Sequence, residues 1–423
     1  MQFNLKQNAQ QILHFTVIRK HYFIDRFYHL KLEKEFIIMS SENDFKQPKY
    51  VLQLTPETEF EWIIRNHQLV GFLFPYRNKL KEFYGNKSHI TELKFQLGKI
   101  LLFKSLLIHY KFLLYLDKGA FGSVSLQFNF TTENKFAIKA LTVSSKYLLK
   151  QIMNEITILR SLDHPNILKL YEVFKTNSTY SLVTEFIDGK NLKQLSKDWS
   201  QMQDNSLLDL LKQLFEGLSF THKNNIIHRD IKLANLILQN DGVLKIIDFG
   251  LACFDGDQLK NHPKCGTPGY CAPEILQNVG NKNQYDSKVD VFSAGCVLYK
   301  LLTFKSLFET DSSKEVQKKK KNGSFLIKEQ GRLFDLTKIL VKQNPLDRPT
   351  STQVLQLIQN MIDDDSFDVK NWYRNTFNCN QTTSIFLSNT PKNGNLSKSL
   401  FKTQSTPNSS IQFISNTMNK IIK

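Results

Sequence analysis

The chain has 423 residues, of which 41% are hydrophobic and 22% charged, and its formal net charge is +17. This length and apolar content allow one large domain plus a smaller one, and exclude a fibrous or wholly disordered chain. The positive charge is scattered among Asn, Gln and Phe rather than gathered on one element, so no nucleic-acid partner is expected; the richest run, Lys318–Lys321, reads as a solvated helix end.

Five cysteines, Cys253, Cys265, Cys271, Cys296 and Cys379, form no CxxC pair, which suggests neither a disulfide framework nor a zinc site and fits a reducing compartment. The N-terminus shows no charged segment followed by an apolar core and a small-residue cleavage site. The most apolar window, residues 100–116, is broken by Lys104, His109 and Lys111, too charged and too short to span a bilayer. We expect a soluble, cytoplasmic protein, with a nuclear or membrane-recruited location as alternatives.

Composition separates residues 1–107, 108–362 and 363–423. In the first region RKHYFI, from Arg19 to Ile24, reads as a strand, and KYVLQLTPETEFEWIIRNH reads as a strand followed by a helix carrying Trp62. The region looks like a small pleckstrin-homology-type β domain, which implies recruitment to membrane lipid; a helix packing on the next domain through Trp62 is the open alternative. The last region has no acidic residue after Asp368, is rich in Ser, Thr, Asn and Lys, and is expected to be disordered.

The middle region opens with short β-like runs, KFLLYLD, GSVSLQF, NKFAIKAL, LKLYEVF and TYSLVTE, with one helical stretch, NEITILRSL, among them. Beyond Asp188 the period turns helical: Leu207, Leu211, Leu214, Phe215 and Leu218 fall on one face. Within this helical part NLILQNDGVLKII reads as two strands joined at Asp241-Gly242, a pair that accepts positive φ in a tight hairpin.

Chemistry-bearing motifs follow the same order. DKGAFGSV places Gly119 and Gly122 in a turn where backbone amides can approach phosphate oxygens. FAIK supplies the cation Lys139 and the helix supplies Glu155, a carboxylate able to hold it. In HRDIKLAN, Asp230 can accept a hydroxyl proton, Lys232 can neutralise a γ-phosphate and Asn235 can ligate Mg²⁺; Asp248 of DFG is a second hard oxygen ligand.

Taken together, FAIK, HRDIKLAN, DFG and CGTPGYCAPE resemble the eukaryotic protein kinase signature set, from about residue 109 to about 361. The resemblance implies an α+β, two-lobed kinase fold: a small antiparallel β-sheet lobe with one helix, then a larger, mainly α-helical lobe. It implies ATP and Mg²⁺ as cofactors, with Asn235 and Asp248 as metal ligands and protein hydroxyls as acceptors. The nucleotide contacts it implies are Gly119, Gly122, Val124, Ala137, Lys139, Glu155, Thr184, Glu185, Ile187, Asn191 and Ile237, with Thr184 as gatekeeper before the hinge. It further implies that Asp290 anchors the catalytic loop, that Glu274 pairs with Arg348, and that Leu159, Leu170, His228 and Phe249 form an apolar column. Lys232 and Thr267 look like the Ser/Thr branch, and GTPGYCAPE with HPNILKLYEVF is most similar to the calcium/calmodulin-dependent group, although no EF-hand loop is present.

Departures from that pattern matter as much. Asp117 stands where the glycine turn usually begins with a third Gly, and Asn191 and Ala234 replace acidic residues that attract basic substrates, which puts an arginine preference in doubt. Between Asp248 and Cys265 there is no Ser, Thr or Tyr, and Pro263 occupies the place of the usual phosphosite. Arg229 is then expected to find a built-in carboxylate, Asp255 or Asp257, with regulation left to the N-terminal region or to Thr390 and Thr406 in the tail. The expected function is ATP-dependent Ser/Thr kinase activity without activation-loop phosphorylation. The rival readings are a pseudokinase scaffold and a lipid-recruited signalling module.

Overall fold

The computed structural model describes residues 13–21, 24–119, 122–196, 204–256, 265–277, 285–308 and 327–377. In the first strand, Leu13–Arg19, Phe15 and Val17 are buried while His14 and Thr16 are exposed, the period-2 pattern of a half-buried strand. Six more follow, so that β1 (Leu13–Arg19), β2 (Arg26–Glu33), β3 (Phe36–Ser40), β4 (Tyr50–Gln53), β5 (Glu61–Arg65), β6 (Gln68–Tyr76) and β7 (Lys79–Tyr84) form one antiparallel sheet ordered β4-β3-β2-β1-β7-β6-β5. Helix α1 (Lys87–Gly98) follows, its N-terminus capped by Asn86, whose side chain accepts from Ser88 N–H.

Two expectations for this region are corrected. Trp62 lies on strand β5, not on a helix: Glu61–Arg65 pairs with β6 through a two-residue turn, Asn66-His67, both at positive φ (49° and 60°). Asn tolerates that left-handed conformation, and such a turn matches the strand twist. Of the expected strand Arg19–Ile24, Arg19 ends β1, Lys20, His21 and Ile24 lie outside any strand, and Tyr22 and Phe23 lie outside the described residues.

Strands β8 (Tyr110–Gly119), β9 (Gly122–Asn129), β10 (Lys135–Thr142), β11 (Leu170–Lys175) and β12 (Thr179–Glu185) form a second sheet, ordered β11-β12-β10-β9-β8, accompanied by helix α2 (Lys146–Ser161). All belong to the same structural unit as the N-terminal sheet. One core runs through both: Trp62, Phe72 and Phe83 of the first sheet with Phe60 just before β5, then Phe103, then Tyr110, Ile138 and Phe174 of the second. Phe103 touches Trp62 and Phe174 at ring-centroid distances of 5.7 and 5.8 Å. Leu107, at the expected region boundary, is itself exposed, between two sheets that share this core.

The second unit comprises residues 162–168 and the described chain from Asp188 onward. Helix α3 (Leu192–Leu195) is short; α4 (Asp204–Lys223) buries Leu207, Leu211, Leu214, Phe215 and Leu218, the face read from the sequence. Strands β13 (Gly189–Asn191), β14 (Ile226–Ile227), β15 (Leu236–Gln239) and β16 (Leu244–Ile246) include the expected hairpin, turning at Gly242 with φ 88°. Helices Pro273–Gln277, Lys288–Thr303, Arg332–Leu340 and Ser351–Asp363 also belong to the unit.

Order continues past the expected boundary at residue 362. Residues 369–377 are helical, Val369 is buried, Tyr373 Oη donates to the Asp347 carbonyl at 2.9 Å, and its ring stacks on Phe377. Aromatic side chains supply the apolar contact of this stretch. The disorder expected further on, the Lys318–Lys321 run, Cys379, Thr390 and Thr406 lie outside the described residues.

Candidate active site

In the first unit, the glycine turn joins β8 to β9, with Gly119 opposite Gly122. A Cβ on Gly122 would sit 2.0 Å from the Ala140 carbonyl oxygen of β10, so no other residue fits there without moving the sheet. Register then sets the neighbours: Lys139 faces Val124 on β9, and Ala137 faces Thr184 on β12. Lys139 Nζ donates to Glu155 Oε1 at 2.7 Å, and the carboxylate is buried while the ammonium is partly exposed. Thr184 Oγ1 donates to the Ala137 carbonyl at 3.1 Å, and Glu185 of the hinge accepts from Lys169 N–H at 2.8 Å, with Ile187 following. Asp117 lies on β8 and takes up its own neighbour, Lys118 N–H, at 2.8 Å.

In the second unit, the loop after β14 converges on one carboxylate. Asp230 Oδ1 accepts from the backbone N–H and the hydroxyl of Thr267 at 3.1 and 2.8 Å. Its Oδ2 accepts from Lys232 Nζ at 2.6 Å and from Asn235 Nδ2 at 3.0 Å. Lys232 also donates to Thr267 Oγ1 at 3.0 Å. A carboxylate held by four donors on three residues is fixed in orientation. Asn235 spends its amide nitrogen on Asp230 and keeps Oδ1 as a hard acceptor, while its carbonyl takes the N–H of Ile247, the neighbour of Asp248. Asp248 has left-handed backbone (φ 63°), a conformation costly for a non-glycine residue.

The loop is held from beneath. Asp290, fully buried, accepts the backbone N–H groups of His228 and Arg229, both at 2.8 Å, and His222 Nε2 at 2.9 Å. Burial alone would raise its carboxyl pKa; hydrogen bonding and charge from His222, with His228, keep it below the usual carboxylate range. Glu274 and Arg348 form a bidentate pair at 2.5 and 2.8 Å, with the guanidinium over the Phe292 ring. His228 contacts Phe249 edge to face at 4.7 Å; Leu159 and Leu170 belong to the first unit.

Residues 110–368, more than half of the chain, match the protein kinase domain model. The chain belongs to the protein kinase family. Its relatives include serine/threonine-protein kinase cds1 of Schizosaccharomyces pombe, 34% identical over 59% of this chain and 57% of that protein. Calcium-dependent protein kinase 4 of Plasmodium falciparum is 33% identical over 55% of this chain and 45% of that protein. Serine/threonine-protein kinase polo of Drosophila melanogaster is 34% identical over 58% and 43%. The chain thus spans about half the length of these relatives, and the kinase domain it carries is of the serine/threonine class.

Three arrangements went unforeseen from sequence. Asn191 is the N-cap of α3, exchanging hydrogen bonds with Gln194 in a capping box, and pairs across the strands with Ile237. The N-x-x-Q pattern was the available signal. Arg229 donates to Tyr285 Oη at 2.9 Å and to the Leu251 carbonyl at 2.6 Å; Asp255 N–H bonds to the Asn225 carbonyl, and Asp257 lies outside the described residues. Finally, Lys94 of α1 forms a buried ion pair with Glu172 of β11, to which Tyr110 Oη also donates at 3.1 Å. Nothing in the spacing of Lys94 and Glu172 signals that pairing.

Proposed function

We propose that the protein is an active serine/threonine kinase that transfers the γ-phosphoryl group of Mg·ATP to protein hydroxyls. The observation that carries this reading is the Asp230 carboxylate, held by Thr267, Lys232 and Asn235 where it can take a hydroxyl proton. Lys139, fixed by Glu155, meets the α- and β-phosphates; Lys232 faces the transferred group. Asn235 Oδ1 and the Asp248 carboxylate supply hard oxygens that suit Mg²⁺, which when bound neutralises charge on the phosphates. Of the residues assigned to nucleotide contact, Gly119, Gly122, Val124, Ala137, Thr184, Glu185 and Ile187 belong to the first unit, and Asn191 and Ile237 to the second. A scaffold without catalysis would have no need for this complete set. Asp230→Asn and Lys139→Met in the full chain test the reading: each should remove phosphoryl transfer while leaving the thermal unfolding midpoint within a few degrees of wild type, and near-normal transfer by either would overturn it.

A second, compatible reading concerns the N-terminal sheet. Arg19, Arg26, Lys49, Lys79 and Lys81 gather near one end of it, close enough that, after burial, their charges lower the pKa values of His21 and Lys81, with Asp25 opposing at His21. Such a cluster favours an anionic lipid surface. Sedimentation of the full chain with anionic and with neutral vesicles distinguishes this from no membrane role. No helix among the described residues is long and apolar enough to cross a membrane.

A further inference from the structure

Helix α2 carries two functional contacts at once. Glu155 reaches Lys139, and five residues on, roughly 140° around the helix, Arg160 reaches the opposite way. Its guanidinium donates to the carbonyls of Ile100 (2.9 Å), Leu101 (2.6 Å) and Gly98 (3.3 Å). These carbonyls belong to the last residue of α1 and the turn beyond it, where a helix leaves acceptors unsatisfied and concentrates negative partial charge. The C-terminal end of the catalytic helix is thus capped onto the C-terminal end of the N-terminal domain's helix.

That cap has a fixed base. A Cβ on Gly98 would lie 2.4 Å from the Tyr171 carbonyl oxygen, so α1 rests directly on the backbone of β11. One turn earlier, the buried Lys94–Glu172 pair ties α1 to the same strand, with Lys94 Nζ also 5.8 Å from the Phe103 ring centroid. Among the described residues the hydrogen-bond partners of Arg160 are all carbonyls, and burial pushes its pKa down to about 10. A guanidinium desolvated against carbonyls alone loses much if α2 swings away, because no carboxylate there travels with it.

We propose that the N-terminal domain sets the position of α2, with Arg160 as the positioning residue that keeps Glu155 within reach of Lys139. The inference rests on the kinase reading above for its catalytic consequence, but not for its structural one.

Hydrogen exchange and steady-state kinetics on the full chain test this, comparing wild type, Arg160→Ala and Arg160→Lys well below their unfolding midpoints. The expected result for Arg160→Ala is at least about tenfold faster exchange of the amides of residues 146–161, unchanged protection in β2 and β6, and a kcat/KM for ATP down about tenfold. Arg160→Lys, retaining charge and stem, should recover part of both. A lower midpoint with wild-type exchange in α2 and wild-type kcat/KM would mean Arg160 only stabilises, and would overturn the proposal. If Arg160→Ala does not fold, Arg160→Lys decides, with intermediate exchange expected and wild-type exchange contradictory. Absence of phosphoryl transfer in wild type would sink the kinase reading instead, while the exchange comparison still judges this one.

Discussion

Asp290 and Arg229, sixty-one residues apart, meet through a backbone N–H donated to a carboxylate oxygen at 2.8 Å, and the second oxygen takes the neighbouring N–H of His228. The carboxylate is fully buried, so each donor it satisfies would otherwise be desolvated without a partner, at about 1–3 kcal/mol apiece. Asp290→Asn supplies one acceptor oxygen and turns an amide NH2, itself a donor, toward the other donor. We expect it to cost about 3 kcal/mol of stability and to lower kcat by roughly 10²-fold through the displaced loop. Denaturant titration and kinetics check both; unchanged kcat would show that the loop is held elsewhere. Because the folded pKa of Asp290 is depressed, its contribution is present above the unfolded value near 3.9 and is lost as pH falls through the folded one.

Substrate choice is open to a second test. Asn191 is engaged as the cap of α3, and Asp caps a helix as well as Asn does. Asn191→Asp should therefore leave the unfolding midpoint nearly unchanged while adding a carboxylate where the proposed function puts nucleotide and substrate contacts. On a degenerate peptide array the wild type should show little preference for Arg three residues before the acceptor, and the variant a several-fold gain that weakens with salt. A strong Arg requirement in the wild type would contradict the reading of Asn191 and Ala234.

Acid should loosen the junction between the two sheets of the first unit. His109 is buried, its Nδ1 has no hydrogen-bond partner, and burial, with the charge of Lys94, lowers its pKa to about 3. Between about 6.5 and about 3 the unfolded chain binds a proton that the folded chain refuses. Stability therefore falls as pH drops, at a limiting slope of about 1.4 kcal/mol per pH unit. Urea midpoints at pH 7, 6 and 5 should decline for the wild type and decline less for His109→Phe, whose ring can pack on Phe174 as the imidazole does. Parallel declines would exclude His109 as the source.

How legible this was from sequence depended on range. Motifs whose residues sit within one loop, such as Asp230, Lys232 and Asn235, were readable because local geometry brings them together. The five small-lobe strands and α4 followed from apolar period alone. Trp62 was misplaced because Glu-Trp-Ile-Ile-Arg fits either element, and the deciding feature, a positive-φ Asn66-His67 turn, lacks the glycine that marks such turns. Lys94–Glu172 and Arg160 with the carbonyls beyond α1 are contacts across many residues between elements with no shared motif, and only packing reveals them.

In the function proposed above, the active arrangement of this kinase needs no phosphate on the segment between Asp248 and Cys265. The most direct measurement is ATP-dependent labelling of a generic protein substrate by full-length chain made in bacteria and treated with phosphatase, beside Asp230→Asn prepared identically. Sustained labelling by the wild type and none by the variant is the expected result. Labelling absent after phosphatase treatment, and restored only when another kinase modifies the activation segment, would contradict it.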